Sequence, residues 1–257
     1  MTDAALPAGY VRVTAGRCAV VTGEAFATDA KALLAEGTLY EAAARDLGAR
    51  MFQGRGISYA IALPMSGTRV VVRRNRHGGL FAPLTRDLFL PPTRAPSELA
   101  VALQLVTLGV RTPPVLMYGV ERVHSFFRRA DVVTREIVGG RDLATYMQPD
   151  QSSGERERAW SAARALVRAL NAAGARHHDL NVKNILVAAG RSGLEAWVLD
   201  VDRVTFGRAD DPAVRQGNVA RLLRSARKWR DERGAVFDDR EIAALGNASL
   251  GRDTLSP

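Results

Sequence analysis

The chain has 257 residues, of which 47% are apolar; this suits one large domain or two smaller lobes and excludes a disordered chain. Lysine and arginine number 36 against 27 aspartates and glutamates, so the formal net charge is +9. Nearly all of the basic residues are arginines, whose planar side chains bind phosphates and carboxylates through paired hydrogen bonds. An anionic partner is therefore indicated, although the charge alone does not say which.

The cysteine and hydropathy patterns exclude further classes of protein. One cysteine cannot build a disulfide framework, and the four histidines show no metal-binding spacing. The first residues lack the basic start and apolar core of a signal peptide. No apolar run approaches the ~18 residues that a membrane span needs. We expect a soluble, intracellular protein.

The first half of the chain is predicted to be rich in strands. Residues 10–22 alternate as in a strand pair, and Thr38-Leu39-Tyr40-Glu41 forms a capping box ahead of a short helix. Three more strands are predicted over 56–63, 68–73 and 132–137. Before the last of them, a helix starts at Pro96 and ends near Gly109, and its predicted apolar face holds Leu99, Ala102, Leu103 and Val106.

The second half is predicted to be mainly helical. Residues 155–173 carry apolar side chains at helical spacing, and a second helix begins at Asp211-Pro212 and extends to about Arg233. Two strands are predicted between these helices, over 185–187 and 196–201. We therefore predict an α+β fold with two lobes, a β-rich N-terminal lobe of residues 1–138 and a helical C-terminal lobe of residues 139–257.

The segment 176–187, RHHDLNVKNILV, is the most informative of the chain. It contains H-x-D-x-x-x-x-N between a predicted helix and a predicted strand, and the next strand ends in Leu199-Asp200-Val201-Asp202. Phosphoryl transfer needs a carboxylate near the attacking hydroxyl and Mg²⁺ on the phosphates, and amide and carboxylate oxygens suit Mg²⁺. We expect Asp179, Asn184 and Asp200 to face one cleft, and an ordinary polar loop is the alternative.

On these residues the chain resembles the protein-kinase-like superfamily. Within it, the chain looks most like the lipopolysaccharide kinase family, whose nearest type is the kinase of 3-deoxy-D-manno-octulosonic acid (Kdo). The closer likeness lies in three segments and a weaker fourth, which are 72–81, 177–186, 199–203 and 218–225. The resemblance implies the two-lobed kinase fold, with ATP and Mg²⁺ as cofactors.

The resemblance also implies roles for the residues of the second half. Asp179 would orient or deprotonate the acceptor hydroxyl, and Asn184 and Asp200 would hold Mg²⁺. Asp202 would be a second metal ligand or a structural acid, and His177 would brace the loop rather than react.

Two further residues of the same loop, Asn181 and Lys183, bear on the kind of acceptor. Asn181 stands where protein kinases carry a lysine, which favours a small-molecule or glycolipid acceptor. Lys183 either supplies the missing charge or lies in solvent.

In the first half, the resemblance implies contacts with the ATP phosphates. Gly54 and Gly56 resemble the glycine-rich turn over these phosphates, and a plain hairpin turn is the alternative. Glu98 resembles the helix glutamate that pairs with the phosphate-binding cation, and an acid favoured by the helix dipole is the alternative. That cation is usually a lysine; here it is Arg73 or Arg74, which face opposite ways on one strand.

Two basic segments have alternative interpretations. The first would hold an acidic sugar or lipid phosphates at the rim of the cleft, or would be a solvated loop; its basic residues are Arg73, Arg74, Arg76, His77, Arg86 and Arg94. The second is the helix from Pro212, which would lie on an anionic membrane or pack on the core of the C-terminal lobe with a basic outer face. Both can hold if that basic outer face meets the membrane.

We therefore predict a kinase that transfers the γ-phosphate of ATP to a sugar hydroxyl, with Kdo of a lipid A precursor as the leading acceptor. The partner would be an acidic sugar or anionic glycolipid, met at the cytoplasmic face of the inner membrane through peripheral contact. Alternatives are a kinase of heptose or another small molecule, and a pseudokinase, which the arginine in the lysine position favours. Nucleic acid is not expected as a partner, because only 6% of residues are aromatic and no nucleic-acid-binding motif appears.

Overall fold

The computed structural model describes residues 6–54, 56–75, 87–191 and 193–237. The chain forms two compact units. The first consists of Met1–Leu103 and Pro114–Glu136, and the second of Gln104–Pro113 and Ile137–Pro257.

The first unit is built on an antiparallel sheet of seven strands. These are β1 (Tyr10–Ala15), β2 (Cys18–Gly23), β3 (Arg50–Gln53), β4 (Ile57–Ala62), β5 (Arg69–Arg74), β6 (Val115–Arg122) and β7 (Arg128–Arg135). Their spatial order is β1-β2-β6-β7-β5-β4-β3. Among its described residues, three α-helices begin in this unit, α1 (Ala27–Ala35), α2 (Leu39–Arg45) and α3 (Ala95–Thr107). The predicted strand pair over 10–22 is confirmed, whereas α1, β3 and β6 were not predicted.

The core of this unit lies between the sheet and the two short helices α1 and α2. Leu34, Leu39, Leu63, Val70 and Met117 belong to one buried cluster there, and burying such side chains is the main stabilising contribution. The predicted capping box of α2 is confirmed. The Thr38 hydroxyl accepts the Glu41 N–H at 3.2 Å, and the Glu41 carboxylate accepts the Thr38 N–H at 3.1 Å.

Arg74 joins α2 to the sheet through a nearly buried network. Its Nε donates to the Asp131 carboxylate at 3.0 Å, its Nη2 donates to the Thr38 hydroxyl at 3.0 Å, and its guanidinium lies 4.6 Å from the centre of the Tyr40 ring. The other Asp131 oxygen accepts the Tyr40 N–H at 3.0 Å. Burial raises the pKa of Asp131 above its ordinary value, and Arg74 opposes that rise.

We expect Arg74→Met to destabilise the protein by about 3 kcal/mol at pH 7, because it leaves the Asp131 charge buried without its cation. An acid whose pKa is raised by folding binds a proton more readily in the folded state. The loss of stability caused by the unpaired Asp131 charge is therefore largest above the pKa of Asp131 in the folded state. It diminishes as the pH falls towards the pKa of an aspartate in the unfolded chain, about 4. Thermal unfolding at several pH values measures this: the deficit of the variant shrinks in acid, and Arg74→Met with Asp131→Asn recovers stability at pH 7. An equal deficit at every pH would contradict the account.

The second unit combines helices with short strands. Its elements are β8 (Arg141–Asp142), α4 (Leu143–Tyr146), α5 (Ser153–Ala172), β9 (Ala175–His177), β10 (Ile185–Gly190), β11 (Gly193–Val198), β12 (Val204–Phe206) and α6 (Pro212–Arg233). Strand β10 pairs with both β11 and β8, and β9 pairs with β12. Trp160, Leu170, Leu180, Ile185 and Leu222 are fully buried in this unit.

Helix α6 has a capping residue at each end. The Asp211 side chain accepts the Ala213 N–H at 2.8 Å as an N-cap, Pro212 occupies the first turn, and Gly234 ends the helix at φ +65°. Its apolar residues Leu222 and Ala226 are completely buried. Of the two interpretations of this helix, the structure therefore supports the one in which its apolar face packs on the core.

The predicted fold class is confirmed. The first unit is β-rich, the second carries the two longest helices of the described residues, and the whole is α+β. None of the helices in the described part of the chain has the length and apolar character to cross a membrane.

Candidate active site

The motif segment forms the loop between β9 and β10. Leu180 and Val182 are buried in the second unit and anchor this loop. Asp179 before them and Asn181 between them are only half-buried, and Lys183 after them is exposed. This alternation lets the core fix the backbone while the polar side chains stay accessible for chemistry.

His177 is completely buried at the start of the loop and fixes its shape. Its Nδ1 accepts the Asp179 N–H at 3.1 Å, so its Nε2 carries the proton and donates to the Leu199 carbonyl at 2.9 Å. Burial lowers the pKa of His177, and the hydrogen bond to Leu199 and nearby acids only partly offset this. The ring is thus neutral at pH 7 and links the loop to the residue that precedes Asp200.

Two asparagines close the loop around the backbone of Asp179. The Asp179 carbonyl accepts the Nδ2 groups of Asn181 at 3.0 Å and of Asn184 at 2.8 Å. The Asn181 Oδ1 accepts the backbone N–H groups of Lys183 and Asn184, at 2.9 and 3.1 Å. Both ends of the Asn181 side chain are therefore used inside the loop. The Nδ2 contact of Asn184 fixes its amide, so that its Oδ1 points away from the Asp179 carbonyl.

Asn184 and Asp200 lie at the open end of the β10–β11 hairpin. The Leu199 N–H donates to the Asn184 carbonyl at 2.9 Å, which extends the hairpin pairing by one step and places Asp200 directly after it. Asp200 is exposed and has φ +53°, a left-handed conformation that is uncommon outside glycine. Such backbone strain concentrates at functional sites. Asp202 follows in a short 3₁₀ turn and is half-buried.

Helix α6 contacts the loop at three points. Asn218 Oδ1 accepts the His177 N–H at 2.9 Å, Arg221 Nη2 donates to Asp179 Oδ1 at 2.9 Å, and Ser225 Oγ accepts the Val182 N–H at 3.2 Å. Asn218, Arg221 and Ser225 are spaced three and four residues apart, so they share one helix face. The sequence predicted no role at the site for these three residues, and placed Arg221 only among the arginines that would meet a membrane. The 218–225 segment nevertheless carried part of the resemblance, and the spacing itself was a usable signal.

Lys183 has a partner of its own. Its Nζ lies 2.6 Å from the Asp142 carboxylate and 5.8 Å from the centre of the Trp229 ring. Asp142 is also the N-cap of α4, since it accepts the Thr145 N–H at 3.0 Å. Lys183 is thus exposed, as one of the two alternatives expected, and is also paired with Asp142. Its supply of charge at the site stays a prediction.

In the first unit, the two adjacent arginines of β5 have different partners. The Arg73 guanidinium donates to the carboxylate of Glu98, which is buried in the first turn of α3, and its Nη1 donates to the Asn75 side chain at 2.9 Å. Arg74 pairs with Asp131 on the opposite face of β5. Because successive strand side chains face opposite ways, only Arg73 occupies the place that pairs with Glu98.

The turn between β3 and β4 contains Gly54 and Gly56. The Gly54 N–H donates to the Gly56 carbonyl at 3.1 Å, which closes the turn. Arg73 lies opposite Ser58, two residues beyond Gly56, on the neighbouring strand. The basic residues Arg76, His77 and Arg86 fall outside the described residues, as do Gly78 and Gly79.

The donor set fits a magnesium ion better than a tightly bound transition metal. Within 6–54, 56–75, 87–191 and 193–237, no three His, Cys, Asp or Glu side chains cluster as around such a metal. The Asn184 amide oxygen and the Asp200 carboxylate are hard oxygen donors, and Mg²⁺ is typically held by one or two such groups with phosphates and water.

Comparison with solved structures shows that the chain has a protein-kinase-like fold. WaaP in complex with acyl carrier protein matches with a TM-score of 0.56 at 17% identity, covering 91% of this chain and 89% of that one. The Rio2 kinase–ADP/Mg²⁺–phosphoaspartate complex from Chaetomium thermophilum matches with a TM-score of 0.50 at 16% identity, over 95% and 78% of the two chains.

Sequence comparison identifies the family. The model of the lipopolysaccharide kinase (Kdo/WaaP) family matches residues 50–245, and the chain belongs to this family. It is 31% identical to the 3-deoxy-D-manno-octulosonic acid kinase of Actinobacillus succinogenes, over 73% of this chain and 78% of that protein. It is 30% identical to the kinase of the same name from Vibrio vulnificus, over 75% and 78% of the two chains. The predictions of the family, and of a phosphotransferase that acts on a sugar hydroxyl in lipopolysaccharide synthesis, are confirmed.

Proposed function

We propose that this kinase transfers the γ-phosphate of ATP to a hydroxyl of Kdo in a lipid A precursor. The observation that carries the proposal is the loop in which Asp179 is fixed by His177 and Arg221, in a chain about 30% identical to Kdo kinases. Kdo is an acid on a phosphorylated glycolipid, so its charge also complements a protein with a net charge of +9.

In the proposed mechanism, Asp179 hydrogen-bonds the attacking hydroxyl and takes its proton as the new oxygen–phosphorus bond forms. The bond between the γ-phosphorus and the bridging oxygen of ATP breaks in the same transfer, and ADP leaves with that oxygen. His177, Asn181 and Asn184 hold the backbone of Asp179, so they act through position. In the first unit, Arg73, oriented by Glu98, contacts the ATP phosphates below the turn of Gly54 and Gly56. Arginine performs this task with a planar fork rather than a point charge.

Mg²⁺ would be held by Asn184 and Asp200. When bound, it neutralises charge on the phosphates. Asn184 meets this requirement with an amide already fixed by the Asp179 carbonyl, and Asp200 with an exposed carboxylate directly after the hairpin. Asp202, in the following turn, is either a second ligand or a structural acid.

The test is release of ADP by the purified protein with ATP, Mg²⁺ and Kdo–lipid A, and mass spectrometry of the product. Phosphate on Kdo is the expected result. A phosphorylated heptose in a core-oligosaccharide acceptor, without phosphate on Kdo, would overturn the Kdo assignment and leave a sugar kinase. Nucleotide binding without transfer to any acceptor would favour the pseudokinase.

We also propose that the protein meets the membrane through the turn between β6 and β7. Phe126 and Phe127 are 73% and 36% exposed there. The Arg128 guanidinium donates to three carbonyl oxygens of the same turn, at 3.0 to 3.4 Å, and so holds its shape. The Arg122 N–H donates to the Arg17 carbonyl at 2.9 Å, and both arginines are exposed at the end of the sheet where β6 and β7 are joined. Aromatic side chains next to cations suit an anionic lipid surface.

Replacing both aromatic residues, in Phe126→Ser with Phe127→Ser, should weaken binding to phosphatidylglycerol vesicles about tenfold, because apolar area no longer enters the lipid. Co-sedimentation measures this, with phosphatidylcholine vesicles as the uncharged comparison. Leu47→Ser is the control, since Leu47 is fully exposed elsewhere in the first unit. Loss of binding only in Arg224→Glu with Arg227→Glu would place the contact on α6 instead. A change of oligomeric state in the aromatic variant would make the turn a protein interface.

A further inference from the structure

Arg221 is the residue of α6 that touches the carboxylate of Asp179. Its Nη2 lies 2.9 Å from Asp179 Oδ1, and the two side chains are 38% and 21% exposed. The other two α6 contacts, through Asn218 and Ser225, reach only backbone N–H groups of the loop. Arg221 alone among these three therefore acts on the side chain that the proposed mechanism uses.

The backbone of Asp179 is already fixed without Arg221. Its N–H donates to His177 Nδ1, and its carbonyl accepts from the side chains of Asn181 and Asn184. None of these contacts restrains rotation of the side chain about its own bonds. The Arg221 contact holds one carboxylate oxygen and so restricts the orientation of the group.

Such a pair adds little to folding stability, because partly exposed ion pairs are screened by water. Placement of a reacting group is far more sensitive, since a displacement of about 1 Å can lower a rate about 100-fold. We propose that Arg221 is a positioning residue for Asp179, whose purpose is to aim the carboxylate at the acceptor hydroxyl. This inference rests on the proposed function of Asp179.

The test compares Arg221→Met, Arg221→Lys and Arg221→Ala with the wild-type protein, using ATP and a detergent-dispersed acceptor. We expect kcat to fall about 100-fold in Arg221→Met, with KM for ATP and the melting temperature nearly unchanged. Lysine should restore only part of kcat, because it lacks the planar fork, and added guanidinium at non-denaturing concentration should restore part of kcat in Arg221→Ala. Arg168→Met is the matched control, an exposed arginine of α5 in the same unit, and should retain full activity.

Full kcat in Arg221→Met would overturn the inference, and so would a loss of kcat that follows a lowered melting temperature. Absence of turnover in the wild-type protein would count against the proposed function instead. In that case, crystal structures of the wild-type protein and Arg221→Met decide the positioning role without any acceptor. The inference requires the Asp179 side chain to adopt other rotamers in the variant, and an unchanged, well-ordered carboxylate would contradict it.

Discussion

Asp179→Asn should lower kcat about 1,000-fold and leave the fold intact. The amide has the shape of the carboxylate, and its oxygen can still accept from Arg221, as Asp179 Oδ1 does at 2.9 Å. It cannot take the proton of the acceptor hydroxyl, and general-base catalysis of this kind is worth about 100- to 10,000-fold. Steady-state kinetics with Kdo–lipid A measures the effect.

The control for this variant is binding of the nucleotide, which should be retained within about threefold because Asp179 is proposed to contact the acceptor rather than ATP. The melting temperature should also be retained, since the loop backbone is held by His177, Asn181 and Asn184. A variant that keeps more than about a tenth of wild-type kcat would remove Asp179 from the chemistry.

Asp200 should show opposite effects on activity and stability. Asp200→Gly removes the carboxylate proposed to hold Mg²⁺ and should lower activity about 1,000-fold, since such charge stabilisation is worth several kcal/mol. The same change relieves a left-handed backbone, φ +53°, and should leave stability equal or raise it by about 0.5–1 kcal/mol. Asp200→Ala should lose activity and stability together, because alanine tolerates this conformation poorly. Asp200→Asn should lose activity alone.

Asp210 provides the matched control for the backbone effect. It is exposed, has φ +55°, and lies in the turn before α6. Asp210→Gly should change the melting temperature by a similar amount and leave the activity unchanged. If Asp200→Gly kept its turnover and its dependence on Mg²⁺ concentration, Asp200 would not be a metal ligand.

The candidate site of the second unit was largely predictable because its residues are close in sequence. H-x-D-x-x-x-x-N confines His177, Asp179 and Asn184 to one loop, and the hairpin of β10 and β11 brings Leu199 back to Asn184 through a backbone hydrogen bond. Local turn chemistry and the pairing of adjacent strands determine this arrangement. Their roles in catalysis stay predictions until the variants are measured.

The fold was predictable only where the apolar pattern was regular. Strand β6 was missed, because Pro113 and Pro114 before it and Gly119 within it indicate a turn, yet it lies beside β7 in the sheet. The predicted apolar face of α3 was wrong at one position, because Val106 is 54% exposed and the neighbouring Leu105 is fully buried instead. An amphipathic pattern fixes a helix, but the neighbours that pack on it decide which residue at the edge of the stripe is covered.

The sequence by itself determined the α+β class, the capping of α2 and α6, and the loop that carries Asp179, because each depends on residues a few positions apart. The tertiary structure alone decided which arginine meets Glu98, since Arg73 and Arg74 have identical chemistry and differ only in the face of β5 they occupy. It also gave Arg221 a partner 42 positions away in Asp179. The amino-acid composition gives the number of arginines but not their roles. Those roles depend on contacts between residues that are distant in sequence, and only the packing of the folded chain creates those contacts.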